Sequence, residues 1–492
     1  MSWPHFNVLV AGAVDLERML SDNEITSVQI VQQYLAQIDR HETLLGAFIS
    51  RAPRAKVLRA AARLDAERQS GSGRSRFHGI PIVLKDCFMT ASSLGMTTTC
   101  GSLALVGSKS SRNSAIAQRL VDAGLIILGK TNMTEFAGMK MTMMMSGWSS
   151  HGGQTLSPYV GKIEDKETIL GHSAPGGSST GSAVAVAAGF APLAMGTETI
   201  GSIITPASRH ALYALKPTVG VQDTTGVFTL TDFYDSPGPM AKCAADVRAM
   251  ASILLGRDFT LPDNNPWQGL LVGFVDPSKW TLPDELSRQH EGTSEQMVED
   301  YLCVVSNLKK HQPLVKYPVD VPDISVLSDV SHLAHWDFKH ITMPRFIQAF
   351  DECPMSSLED IVEFNKANKA RAMPAPYTEQ DDLETSLSCN EDPDSMERVK
   401  KELRAKGRQV LDKAFDDNGV NLIVGPVDSA FCIHACAAGY PLATVPVGQL
   451  RYNGRPFGMV ATARLNDEEA LLRFQAAYEA AWRRRPLPDL SN

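Results

Sequence analysis

The residues best suited to chemistry crowd into one window. Between positions 173 and 202, 18 of 30 residues are Gly, Ser or Ala, and Glu198 is the one charged residue. Val184, Val186, Phe190, Leu193, Met195 and Ile200 are interleaved with them, an apolar content that a flexible linker lacks, so the segment is expected to pack. A backbone this bare allows a ligand to approach closely and lets N–H groups face developing negative charge. Three uses compete: a tightly packed helix–loop, a phosphate cradle, and a nucleophilic serine site. On composition alone the first carries the most weight. Neither G-x-x-x-x-G-K-[ST] nor G-x-G-x-x-G occurs here, which argues against phosphate. Gly177-Ser-Ser-Thr-Gly181 matches the G-x-S-x-G elbow, but that turn needs a strand before it, and Gly-His-Ser-Ala-Pro-Gly at 171–176 makes a poor one. It also needs a late His, and the last one, His434, lies in Cys432-x-His434-x-Cys436, a segment that reads as structural and fits no common zinc spacing.

These residues need a scaffold to position them. Thr26 reads as an N-cap before Val28, Val31, Leu35 and Ile38, one helical face. An Ala-rich helix at 54–68 and a polar loop at 70–75 follow. Ile-Pro-Ile-Val-Leu at 80–84 reads as a buried strand with Lys85 at its end. A lysine there usually extends its amine to solvent. A helix at 114–123 and a strand at 125–128 continue the alternation, which argues for an α/β fold. Helix is expected at 240–256, 283–310, 344–352 and 357–370, within a polar stretch over 311–400. Short strands at 422–424, 443–445 and 459–461 and an amphipathic helix at 468–483 return to α/β texture.

The chain has 492 residues, enough for about three domains or one large α/β domain. Apolar residues make up 43% and charged residues 21%, ordinary globular usage that excludes extended disorder. The net charge of −8 and the absence of a basic block beyond 483–485 argue against a nucleic-acid partner. Eight scattered cysteines are no disulfide framework. The first twenty residues lack a basic leader and no run of 18 apolar residues occurs, so neither a signal peptide nor a membrane span is expected. The expected location is the cytoplasm.

Several motifs in order then carry a resemblance. Gly-Gly-Ser-Ser-Thr-Gly-Ser-Ala at 176–183, with Gly-Thr-Glu-Thr-Ile-Gly-Ser-Ile at 196–203, is similar to the amidase signature family. His-Gly-Ile-Pro-Ile-Val-Leu-Lys-Asp at 78–86, Leu-Gly-Lys-Thr-Asn-Met-Thr-Glu-Phe at 128–136 and Lys-Pro-Thr-Val-Gly at 216–220 match as well. So do Gly-Pro-Met at 238–240, Gly-Tyr-Pro at 439–441 and Pro-Phe-Gly at 456–458. Agreement spans roughly 15–485 and is weakest over 260–420.

The resemblance implies one domain over 1–492. It would have a mixed, twisted central β-sheet flanked by α-helices, a core at 70–225 and a variable substrate-shaping region at 260–420. It implies a Ser–Ser–Lys triad: Ser202 as nucleophile, Ser178 as the bridging serine after a cis Gly177–Ser178 bond, and Lys85 as base. Backbone N–H groups of Thr199, Ile200, Gly201 and Ser202 would hold an oxyanion, with Thr197 and Ser179 supporting the serine loops. Lys85 must be neutral to accept a proton. Moving a lysine from about 10.4 to about 7.5 costs about 4 kcal/mol, which burial can supply. Asp86 would oppose this, so its carboxylate is expected to point away.

The implied activity is hydrolysis of a carboxylic amide through an acyl-enzyme, with no metal and no organic cofactor. Met139, Met141 and Met144, with Gly177, are expected to border a pocket for an apolar or aromatic group, since Met adapts to varied shapes. The partner is a small-molecule amide, and a homodimer is left open. Ile200 stands where many relatives carry Asp or Gly, Ile204 where some carry an Arg that can pair with the acid at 198, and Cys87 where Asn is common. Ser-Gly-Trp-Ser-Ser-His-Gly-Gly-Gln-Thr at 146–155 is more similar to stand-alone fungal and bacterial amidases than to the glutaminase subunit of a tRNA-dependent amidotransferase. Ester hydrolysis, acyl transfer and a non-catalytic ligand-binding role are the alternatives.

Overall fold

The computed structural model describes residues 6–262, 265–288, 290–311, 315–322 and 327–490. The N-terminal reading therefore falls partly outside them, at 1–5. Thirteen strands occur among the described residues: β1 Phe48–Arg51, β2 Pro81–Lys85, β3 Ile126–Thr131, β4 Trp148–Ser149, β5 Gly153–Gln154, β6 Leu193–Glu198, β7 Tyr213–Lys216, β8 Ser236–Ala241, β9 Val272–Val275, β10 Val315–Val319, β11 Leu422–Pro426, β12 Leu442–Gln449 and β13 Pro456–Thr462. Eleven form one sheet in the order β1-β3-β2-β6-β8-β7-β12-β13-β11-β9-β10, while β4 and β5 pair separately.

The sheet is mixed. β2 runs parallel to both β3 and β6, whereas β8 lies antiparallel between β6 and β7. β7 pairs with β12 through Leu442 opposite Lys216, which joins strands from before residue 250 to strands from beyond 420. One sheet thus spans nearly the whole chain, as the sequence led us to expect.

Central position explains composition. β2 and β6 are buried along their whole length, and a strand covered on both faces reads as a continuous apolar run. Lys85 ends such a strand and is drawn inside with it. Helix Thr180–Ala187 is likewise buried at every residue. Its small side chains are a spatial requirement: a Cβ on Gly181 would lie 2.4 Å from the Ala47 carbonyl oxygen and 2.6 Å from that of Asn132. Helix Ser27–Leu45 starts as expected, with the Thr26 hydroxyl accepting from the Gln29 amide, and stops at Gly46 with φ +58°.

Several boundaries differ. The helix expected over 240–256 begins only at Ala244, because 236–241 pairs as β8 between β6 and β7. The helix expected over 283–310 forms as Thr293–His311, after turns at 283–288. The 357–370 segment is broken at Asn368 into Leu358–Ala367 and Lys369–Ala372. Among the helices that were not anticipated are Asp381–Ser388 and the long Pro393–Asn418. The latter has its signals in the sequence: Asp392 accepts from the Ser395 amide, Pro393 opens the first turn, and Gly419 closes the helix with φ +57°. No helix among the described residues is long and apolar enough to cross a membrane.

Because the atoms facing Gly181 are backbone oxygens that cannot rotate away, Gly181→Ala should destabilise the protein by about 1–3 kcal/mol. Equilibrium denaturation measures this, and a variant as stable as the parent would show that the helix can shift away from Ala47 and Asn132.

Candidate active site

Lys85 is fully buried. Its Nζ donates to Ser178 Oγ at 2.8 Å, to Thr197 Oγ1 at 3.0 Å and to the Thr197 carbonyl at 3.2 Å. Burial lowers its pKa from the ordinary lysine value, while Cys87, Asp235, Cys100 and Glu198 oppose the shift through their fields. Asp86 turns away, as expected. Its Oδ1 pairs with Lys130 at 3.2 Å, and its Oδ2 accepts from the Thr99 hydroxyl at 2.6 Å and the Thr99 amide at 3.0 Å. The neighbouring carboxylate is therefore spent on another lysine, and the Lys85 amine meets hydroxyls and a carbonyl instead.

The Gly177–Ser178 peptide is cis. The Ser178 carbonyl accepts from the Thr134 amide at 3.1 Å, and the Ser179 amide donates to the Ser202 carbonyl at 3.1 Å, which ties the two serine segments together. Ser179 Oγ also donates to the Thr197 carbonyl at 3.2 Å. Thr197 thus holds both Lys85 and Ser179. Gly201 has φ +74°, a left-handed conformation that favours glycine immediately before Ser202.

Glu198 is fully buried. Its Oε2 accepts from the Ile203 and Ile204 amides at 2.6 and 2.8 Å. Burial raises its pKa, opposed first by Lys216 and then by the amides of Ile204, Ile203 and Gly201. Asp235 is also buried, and burial pushes it up to about 7 against the pull of Thr199, the Leu230 amide and Lys85. Neither Asp235, Thr134 nor a role for Lys216 was found from sequence. Lys216 lay in a matched motif without an assigned task, and Asp235 carried no local signal.

A cavity of about 350 Å³ reaches Gly177, Ile200 and Gly201. Its apolar wall is built mainly from Leu170, Leu282, Leu286, Val427 and Ile433, with Asp428 at one side. Met139, Met141 and Met144 do not line it. Met139 lies in the main core, while Met144 packs with Met145, Trp148 and Ala174, and Met141 and Tyr377 pack against that cluster. The methionine segment finds its partners inside the protein, with the Trp148 and Tyr377 rings 4.2 Å apart. Asp428 pairs with Arg209 at 3.0 Å and Arg455 at 2.9 Å. Burial alone would raise its pKa, but the two guanidinium groups hold it well below the usual carboxylate range.

Cys432, His434 and Cys436 lie on helix Phe431–Ala438, and all eight cysteines are free. His434 Nε2 is 3.2 Å from the Pro322 carbonyl. Among the described residues, the group of three that could hold a metal ion is His332, Cys389 and Glu391, outside this cavity. There His332 is already paired with Glu391 at 2.8 Å.

Known proteins match this arrangement along its length. The family model described as Amidase matches residues 29–432. A Schizosaccharomyces pombe protein that carries the name amidase is 27% identical, over 94% of this chain and 84% of its own. A glutamyl-tRNA(Gln) amidotransferase subunit from Symbiobacterium thermophilum is 40% identical, but over only 50% of this chain and 47% of its own. The solved structure of native peptide amidase from Stenotrophomonas maltophilia superposes with a TM-score of 0.85 at 29% identity, covering 100% of both chains. A sheet assembled from both ends of the chain, a buried lysine meeting a serine, and a family match over most of the sequence lead to one conclusion: the chain belongs to the amidase family of enzymes.

Proposed function

We propose that the protein hydrolyses carboxylic amides through an acyl-enzyme on Ser202, with Ser178 and Lys85 as its proton relay. The observation that carries this reading is the 2.8 Å contact between Lys85 Nζ and Ser178 Oγ, in a buried setting where no carboxylate among the described residues lies within ion-pair distance of the amine. A serine hydroxyl needs a base to become a nucleophile, and a desolvated lysine can supply one.

In the forward step Ser202 Oγ bonds to the amide carbon. Its proton passes to Ser178 Oγ as the Ser178 proton passes to Lys85 Nζ. The N–H groups of Thr199, Ile200, Gly201 and Ser202 face the developing oxyanion, the Gly201 group being shared with Glu198. Collapse breaks the C–N bond; Ser178 protonates the departing nitrogen and recovers its proton from Lys85. Water then attacks the acyl carbon by the same relay, releasing the carboxylic acid and restoring Ser202.

The acyl or amine group adjoining the reacting carbonyl is apolar, because the cavity at Gly177, Ile200 and Gly201 is walled by Leu170, Leu282, Leu286, Val427 and Ile433. Likeness to a peptide amidase over the full chain makes amino-acid and peptide amides the first substrates to test. The amidotransferase protein matches only half of the chain, which favours a stand-alone enzyme.

Four outcomes follow. Ser202→Ala should abolish hydrolysis and labelling by a fluorophosphonate while leaving the circular dichroism unchanged; normal turnover would remove Ser202 from the mechanism. Lys85→Met should lower kcat by about 10²–10⁴-fold, the usual worth of a positioned base. In the parent enzyme kcat/KM should fall as pH drops through the lowered Lys85 pKa, since only the neutral amine accepts a proton; a rate independent of pH there would exclude Lys85 as base. Finally, Leu286→Ala should reduce kcat/KM for a leucine or phenylalanine amide by about 10-fold relative to a small amide. An equal effect on both substrates would place the apolar group elsewhere.

A further inference from the structure

Glu198 and Lys216 are both fully buried, and neither has an ion-pair partner within reach among the described residues. Glu198 Oε2 accepts from the Ile203 and Ile204 amides, the Gly201 amide adds a further pull toward the ionised form, and Oε1 has no hydrogen-bond partner. Lys216 Nζ makes a single long contact, 3.4 Å to the Tyr440 carbonyl. The strand register relates the two residues. Glu198 on β6 lies opposite Ser236 on β8, and Gly196 lies opposite Gly238. On the other side of β8, Tyr213 lies opposite Ala241 and Ala214 opposite Met240, which carries Lys216 to the level of Gly238. Paired residues in a sheet share a face and alternate residues return to it, so Glu198 and Lys216 occupy one face, with the bare backbone of Gly238 between them. The Leu215 carbonyl oxygen closes over Gly238, 1.9 Å from where a side chain there would begin, and Ile203 Cδ1 lies at 3.1 Å.

We propose that Lys216 is the counter-charge of Glu198, and that the pair is a positioning device that fixes the turn carrying Ser202. The inference rests on Ser202 being the nucleophile. Ile203 and Ile204 directly follow it, so the Glu198 carboxylate grips the chain on the far side of the reacting hydroxyl. An ionised acceptor makes those two bonds stronger than a neutral carboxyl would. A buried carboxylate stays ionised only if a cation or donors compensate for lost water. The other titratable groups whose fields couple to Glu198 are Lys85, Cys432 and Cys436, with Asp235 on the adjoining segment next to Lys85. Lys85 serves as a base only when neutral, and the acid and the thiols cannot supply positive charge. Lys216 is the remaining cation, and its field is the largest that favours the ionised form of Glu198. The Ile at 204 leaves this cation as the means of balancing the acid.

The test is a two-residue cycle, read by kinetics and by thermal midpoint. Lys216→Met should lower kcat at least 10-fold with KM within about threefold, because the turn loosens while the cavity wall is untouched. It should also move the acid limb of the kcat profile to higher pH, since losing the positive field raises the Glu198 pKa and the working form is ionised. In Glu198→Gln/Lys216→Met no carboxylate titrates at 198, so the acid limb should return to the one set by Lys85 and the thermal midpoint should recover relative to Lys216→Met. An acid limb that stays in place in Lys216→Met, or a double variant no more stable than the single one, overturns the proposal. If Lys216→Met does not fold, the double variant must; failure of both is also contrary. Ser202→Ala is run alongside: if it stays active, the nucleophile assignment falls, whereas stability coupling between Glu198 and Lys216 is measured independently of activity.

Discussion

Everything at this site depends on a lysine amine held away from water without a carboxylate beside it. Lys85 reaches that position because it ends a strand flanked on both sides by other strands, and the nearest acid in sequence, Asp86, is bound to Lys130 and Thr99. Burial without a countercharge favours the neutral amine. The same strand that forces desolvation aims Nζ at Ser178 and Thr197, so fold and base strength have one cause.

Around that amine the architecture works by close approach. Helix Thr180–Ala187 is built of small residues because it sits against the backbone of Ala47 and Asn132, and it carries the serine segment inward. Thr197 bridges Lys85 and Ser179, and the Ser179 amide reaches Ser202. Glu198 then ties the residues after Ser202 back to the end of β6. Each link is a short polar contact in a dry interior, where a satisfied network is rigid and a broken one is costly.

Much of this was legible in the sequence, for identifiable reasons. The apolar run at 80–84 announced β2, and ordered motifs pointed to Lys85, Ser178 and Ser202. The cis bond and the turn of Asp86 away from Lys85 followed from that resemblance and from elementary electrostatics. What escaped the sequence depends on neighbours distant in the chain. β8 was hidden because Ser-Pro-Gly-Pro-Met-Ala lacks strand character and pairs only because β6 and β7 offer edges to it. The methionines at 139, 141 and 144 looked like a pocket wall, but Trp148, Tyr377 and the core take them up. The cavity beside Gly177 and Gly201 instead combines 282–286 with 427–433, and nothing local marks those segments as partners. The relation of Glu198 to Lys216 is likewise a matter of register across a third strand.

The protonation state of Lys85 is the central claim, and it can be read directly. Titration of the lysine ¹⁵Nζ or ¹³Cε resonances by NMR, with Lys85→Arg to assign the signal, follows one amine through the working pH range. The account requires the Lys85 signal to titrate well below the exposed lysines and to be that of a neutral amine where the enzyme is active. A Lys85 resonance that titrates near the ordinary value of about 10.4 would contradict it, because a charged ammonium cannot take the proton from Ser178.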